Sequence, residues 1–176
     1  MKSFMTETPI NVAGIELPSD SPVFLAALGV HILFGLSCVV TGVVAMLSRK
    51  RPGRHPRFGT IYYSCLSVVF ASAAILSVMR WPEDYHLFIL GMLSFATASL
   101  GRMALRRHWR NRIRLHITCM GLSYILLLTA FYVDNGKNLP LWNKLPQIAF
   151  WLLPGAVGIP FIVHALLRRP LALRRY

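Results

Sequence analysis

The run V-F-L-A-A-L-G-V-H-I-L-F-G-L-S-C-V-V-T-G-V-V-A-M-L from Val23 to Leu47 carries no charged residue, and Ser48-Arg49-Lys50-Arg51 follows it at once. At 1.5 Å per residue, a helix of this length crosses a hydrocarbon core of about 30 Å. The abrupt change from apolar run to basic cluster is the mark of a span meeting a membrane surface. Four more segments repeat the pattern, at Phe58–Met79, Tyr85–Leu105, Leu115–Val133 and Ile148–Leu167. The chain therefore reads as an all-α integral membrane protein, a bundle of five transmembrane helices. Residues 1–22 form a polar outer tail, 23–167 the transmembrane domain and 168–176 a basic tail.

Composition agrees. The 176 residues are 55% hydrophobic and only 14% charged, with a mean hydropathy of +0.54, too apolar for an ordinary soluble domain or a disordered chain. Cys38, Cys65 and Cys119 all fall inside apolar runs, which suits packing better than a disulfide framework. The first twenty residues lack a basic region leading into an apolar one, so they do not read as a cleavable signal.

The basic residues set an orientation. Arg49, Lys50, Arg51, Arg54 and Arg57 follow the first span; Arg102, Arg106, Arg107, Arg110, Arg112 and Arg114 flank the third connection; Arg168, Arg169, Arg174 and Arg175 end the chain. Only Lys2, Arg80, Lys137 and Lys144 fall on the other side, together with all six acids. The positive-inside rule puts the N-terminus outside and the C-terminus in the cytoplasm. The net charge of +13 is thereby explained without nucleic acid, since the basic loops are short and meet anionic lipid headgroups.

Small residues recur at helical spacing on three spans. They are His31, Gly35, Cys38, Gly42 and Ala45 on the first, Ser64, Ser67, Ala71 and Ala74 on the second, and Gly91, Ser94, Ala98 and Gly101 on the third. Helices in lipid associate through close backbone approach at such residues, so these faces are expected to point inward. Pro154, Gly155, Gly158 and Pro160 predict a bend or break in the fifth helix, since proline removes a backbone donor and crowds the preceding turn. Trp81, Trp109, Trp142 and Trp151 sit at or near the expected interfaces.

Candidate chemistry rests on histidine. Helix rise puts His55, His116 and His164, from three different elements, at one level near the cytoplasmic boundary, whereas His31 and His86 lie near the outer side. His108 falls in the arginine-rich loop. Imidazole is the commonest metal ligand, and an intramembrane polar side chain is costly enough to be a functional candidate. Two readings follow. His31, His86 and His116 are candidate cofactor ligands for a b-type haem, and His55, His116 and His164 are candidate ligands for zinc.

The H-P-R-F-G-T-I-Y-Y run from His55 to Tyr63 and the H-I-T-C-M-G-L-S-Y run from His116 to Tyr124, in that order after the His31 helix, carry a further signal. Over roughly Val30 to His164 the sequence resembles a bacterial family of predicted membrane proteins, domain of unknown function 2306. That resemblance implies a multi-pass protein of the bacterial cytoplasmic (inner) membrane in which His31, His55, Gly59, Tyr62 and His116 are shared positions. It implies no reaction. Family members often carry Arg where Pro56 and Thr60 stand here.

Absences narrow the function. No Asp or Glu lies within a span core, and there is no H-E-x-x-H, no G-x-S-x-G and no phosphate-cradling glycine loop. Hydrolase and ATPase readings fall away. What is left is a histidine-ligated haem or zinc protein, or a non-catalytic membrane subunit that docks on a membrane partner or a second copy through its small-residue faces. Permeation of a small solute through a kinked fifth helix is a third expectation.

Overall fold

A computed structural model describes residues 10–12, 15–17, 21–49, 52–140 and 142–168. Lys2, Glu7, Asp20, Lys50, Arg51, Arg169, Arg174 and Arg175, counted above for orientation, lie outside those residues. The helices are α1 (Pro22–Leu47), α2 (Arg54–Met79), α3 (Trp81–Arg106), α4 (Arg112–Asn135) and α5 (Gln147–Leu167). All five are long and apolar enough to cross a membrane. Before them, β1 (Ile10–Val12) pairs antiparallel with β2 (Ile15–Leu17), Ile10 opposite Leu17. The stretch read as a polar tail thus holds a short strand pair.

Local chemistry sets the helix ends. Pro22 starts α1, where its missing N–H costs nothing, and the Leu25 amide donates to the Ser21 carbonyl. Gly53, with φ of +124°, makes the turn into α2, a backbone conformation that residues with a Cβ rarely adopt. Arg80 alone separates α2 from α3, so α3 begins four residues before the expected Tyr85. Glu83 and Asp84 then lie in its first turn, where they offset the positive end of the helix dipole, and Asp84 pairs with Arg80 at 3.3 Å.

The helices associate as two pairs, α1 with α2 and α3 with α4; α2 meets α3 across the middle and α5 leans on α4. The core between them is Cys38, Tyr62, Cys65, Leu66, Val69 and Ala98, with Met120, Tyr124 and Leu127 against it. Apolar side chains on α1 such as Leu33, Leu36 and Val40, and on α5 such as Leu152, Ile159 and Phe161, are exposed, the surface that a bilayer solvates.

The small-residue faces divide. On α3, Ser94, Ala98 and Gly101 are buried as expected. On α1 the stripe is uneven: Cys38, Gly42 and Ala45 are buried and a Cβ on Gly42 would overlap the Tyr124 ring, whereas one on Gly35 would meet nothing. On α2 the expectation is overturned, because Ser64 and Ala71 are exposed and the buried face is Tyr62, Cys65, Leu66, Val69, Ser72 and Ser77. Two of these side chains hydrogen-bond to other helices, Tyr62 to Ser123 and Ser72 to His31.

Nor does α5 break. Helical structure continues through Pro154 and Pro160. Its packing on α4 is reciprocal: a Cβ on Gly121 would overlap Ile162, and one on Gly158 would overlap Ile125. Each helix offers a glycine to receive the partner's isoleucine, which holds the pair close in the absence of a hydrophobic drive.

Candidate functional site

His55 enters from the first turn of α2, just past the Gly53 turn, and its Nδ1 lies 2.9 Å from the Ala45 carbonyl. Ala45 is in the last turn of α1. His116, in the second turn of α4, places its Nδ1 3.1 Å from the Gly101 carbonyl of α3. A carbonyl only accepts, so in both rings Nδ1 carries the proton and donates, and the tautomer puts the lone pair on Nε2. The two rings meet with centroids 6.3 Å apart and planes at 90°. Four helices thus fix one pair of imidazoles: α2 and α4 carry the rings, and α1 and α3 orient them.

Toward the middle of the bundle the polar chain continues. Tyr62, two turns along α2 from His55, is 2% exposed, and its hydroxyl lies 2.8 Å from Ser123 Oγ. Ser94 Oγ donates to the Ser123 carbonyl at 2.9 Å, and Tyr124 donates to the Val39 carbonyl at 3.1 Å. Gly59, one turn beyond His55, has open space where a Cβ would project. Ser94 stands out in the sequence only as a small residue on a helix face. The link of Tyr62 to Ser123 and Ser94 has no sequence signal, although the spacing of Tyr62 from His55 puts both on one face of α2.

The other histidines are elsewhere. His31 has its Nδ1 3.1 Å from Ser72 Oγ, between α1 and α2. His86 stands between the rings of Tyr85 and Trp151, at 5.7 and 6.2 Å. It is about 22 Å along α3 from Gly101, the residue that holds His116. The set His31, His86 and His116 is therefore not one site, because it is spread over both halves of the bundle. His108 is in the α3–α4 loop with φ of 52° and its Nδ1 3.1 Å from the Arg106 carbonyl. His164 is exposed on α5, the helix that leans on the outside of α4. The level expected for His55, His116 and His164 does not gather them: among the described residues no three His, Cys, Asp or Glu side chains are grouped as a metal would require. Equal height is not equal azimuth.

Cys38, Cys65 and Cys119 are buried thiols, and Cys38 Sγ donates to the Tyr62 carbonyl at 3.6 Å. Two open grooves mark the arginine-rich end. One, of about 610 Å³, is lined by Val43, Val44, Leu47, Ser48, Arg49 and Arg54; the other, of about 390 Å³, by Arg114, Thr118, Leu166 and Leu167.

A family model described as "Predicted membrane protein (DUF2306)" matches residues 28–156. No curated protein and no solved structure matches the chain. The matched stretch contains His31, His55, Gly59, Tyr62 and His116, and ends within α5 before His164.

Proposed function

We propose, for a chain that belongs to the predicted membrane protein family DUF2306, that His55 and His116 form a two-imidazole site for one metal centre, best suited to a b-type haem iron. The observation that carries this reading is the ring separation of 6.3 Å with both Nδ1 atoms tied to backbone carbonyls. A metal–imidazole bond is about 2 Å long, so two rings that held one ion between them would have centroids about 5–6 Å apart, close to the separation here. Carbonyl-anchored Nδ1 groups are the usual outer support of a metal-bound histidine, since they fix the tautomer and the orientation of the ring. Haem iron needs only two protein ligands, whereas structural zinc takes four and catalytic zinc three. When bound, such a centre supplies one-electron transfer.

The site lies at the arginine-rich end of the bundle. With the N-terminus outside and the C-terminus in the cytoplasm, as the distribution of basic residues supports, it faces the cytoplasmic side of the bacterial inner membrane. A second reading, a non-catalytic subunit docking on another membrane helix, is favoured by the outward small residues Ser64 and Ala71 of α2.

One experiment separates them. The full chain, purified in detergent from cells supplied with haem precursor, is examined by visible spectroscopy with and without dithionite and by metal analysis. The haem reading expects a Soret band that shifts on reduction and disappears in His55→Ala and in His116→Ala, while His86→Ala and His164→Ala keep it. A colourless, metal-free protein with normal folding leaves the two rings an edge-to-face aromatic contact and favours the docking subunit.

A further inference from the structure

Arg102 is the cation of this bundle with the most unusual surroundings. It belongs to α3, about 6 Å before the helix ends at Arg106, and so lies inside the span rather than in the loop. Its guanidinium rests on the face of Tyr63 of α2, 4.5 Å from the ring centroid. Nη1 reaches the Gly59 carbonyl and the Thr60 hydroxyl only at 3.5 Å, the long limit of a hydrogen bond. Tyr63 is itself braced, with its hydroxyl 3.1 Å from Ser99 Oγ and its ring stacked on Phe95. The group is therefore held flat and in place, while the donors of its planar fork other than Nη1 have no partner among the described residues.

Among the described residues no carboxylate offsets it. The nearest cation on its own helix is Arg106, one turn on, so its neighbour in charge is a like one. The chain's six acids are Glu7, Glu16, Asp20, Glu83, Asp84 and Asp134, all preceding α1 or at the opposite ends of α3 and α4. Among the described residues the one ion pair is Arg80 with Asp84, at that far end. Among the described residues no anion is paired with Arg102. Thr60 is exposed and Tyr63 only half-buried, so the guanidinium is reachable from the surface of the bundle between α2 and α3, near its arginine-rich end.

We infer that Arg102, on its Tyr63 platform between α2 and α3, is a binding site for the phosphate of an anionic phospholipid. The planar fork supplies two parallel donors to one phosphate, and the neighbouring Arg106 adds charge attraction. The apolar sides of α2 and α3 below it accept the acyl chains. This inference is independent of the histidine reading, since it uses neither ring.

The test is native mass spectrometry of the full chain released from detergent, titrated separately with phosphatidylglycerol, phosphatidylcholine and inorganic phosphate. Phosphatidylglycerol is expected to be retained in preference to phosphatidylcholine, and Arg102→Gln to weaken it about tenfold, the loss expected for one charge-assisted hydrogen bond. Arg102→Lys keeps the charge and guards against a folding defect; it also weakens retention, because an ammonium has no planar fork and does not lie flat on Tyr63. Arg54→Gln and Arg114→Gln, at the two grooves, leave retention unchanged. Equal retention of the two lipids, undiminished binding in both Arg102 variants, or loss confined to Arg54→Gln or Arg114→Gln overturns the inference. Competition by inorganic phosphate at the lipid's own concentration overturns it in favour of a soluble anion.

Discussion

The imidazole of His55 stands perpendicular to that of His116 at 6.3 Å, though the two residues belong to helices separated in sequence by the whole of α3. Each ring also closes a second contact between helices, His55 to α1 and His116 to α3. The pair is a junction of four helices before it is anything else. Each histidine-to-alanine change should therefore lower stability by about 1 kcal/mol through its lost carbonyl bond alone. A double-mutant cycle on thermal unfolding in detergent, with the protein free of any metal, should show the two losses coupled. Strict additivity would mean that the rings do not sense each other.

Tyr62→Phe removes only the hydroxyl that meets Ser123 Oγ at 2.8 Å inside the core. Polar contacts between membrane helices couple by about 0.6 kcal/mol on average and up to about 1.7. The cycle of Tyr62→Phe with Ser123→Ala should give a coupling in the upper part of that range, because Ser94 also ties into Ser123. The readout is reversible unfolding in mixed micelles.

Two glycines of one helix should respond oppositely. Gly42→Ala forces a methyl group into the Tyr124 ring, whose hydroxyl is already committed to the Val39 carbonyl. A loss of about 1–3 kcal/mol is expected, as for other overpacked sites. Gly35→Ala meets open space and gains helix propensity, so stability should hold or rise slightly. Thermal midpoints of the two variants, measured side by side, decide the matter.

Orientation can be read with engineered thiols. Cys38, Cys65 and Cys119 are buried and should not label in intact cells. Asn138→Cys, exposed at the turn after α4, is expected to react with an impermeant maleimide added outside, and Arg110→Cys, exposed in the α3–α4 loop, only after the membrane is opened. The reverse pattern would invert the proposed topology and move the histidine pair to the outer face.

Much of the site was half legible. His55 and His116 stood out because helix rise assigns each residue a height along the bundle. Rise says nothing of which way a helix is turned, and His164 shows the consequence: it shares the level and faces away on α5. His31 and His86 were placed on the outer side by the same count, yet one binds Ser72 and the other sits by Trp151. The partners of Arg102 gave no signal in the sequence beyond its charge.

By itself the sequence determined the solvent, the number of spans and the ends at which charge collects, because those depend on summed hydropathy and length, which add residue by residue. Which faces turn inward was decided only by the tertiary structure. In lipid every apolar side chain is equally at home, so hydropathy does not choose the azimuth of a helix; the choice falls to hydrogen bonds such as Tyr62 to Ser123 and to close fits such as Gly158 under Ile125. Both arise between helices distant in sequence, and that is why the α2 face could not be read from α2 alone.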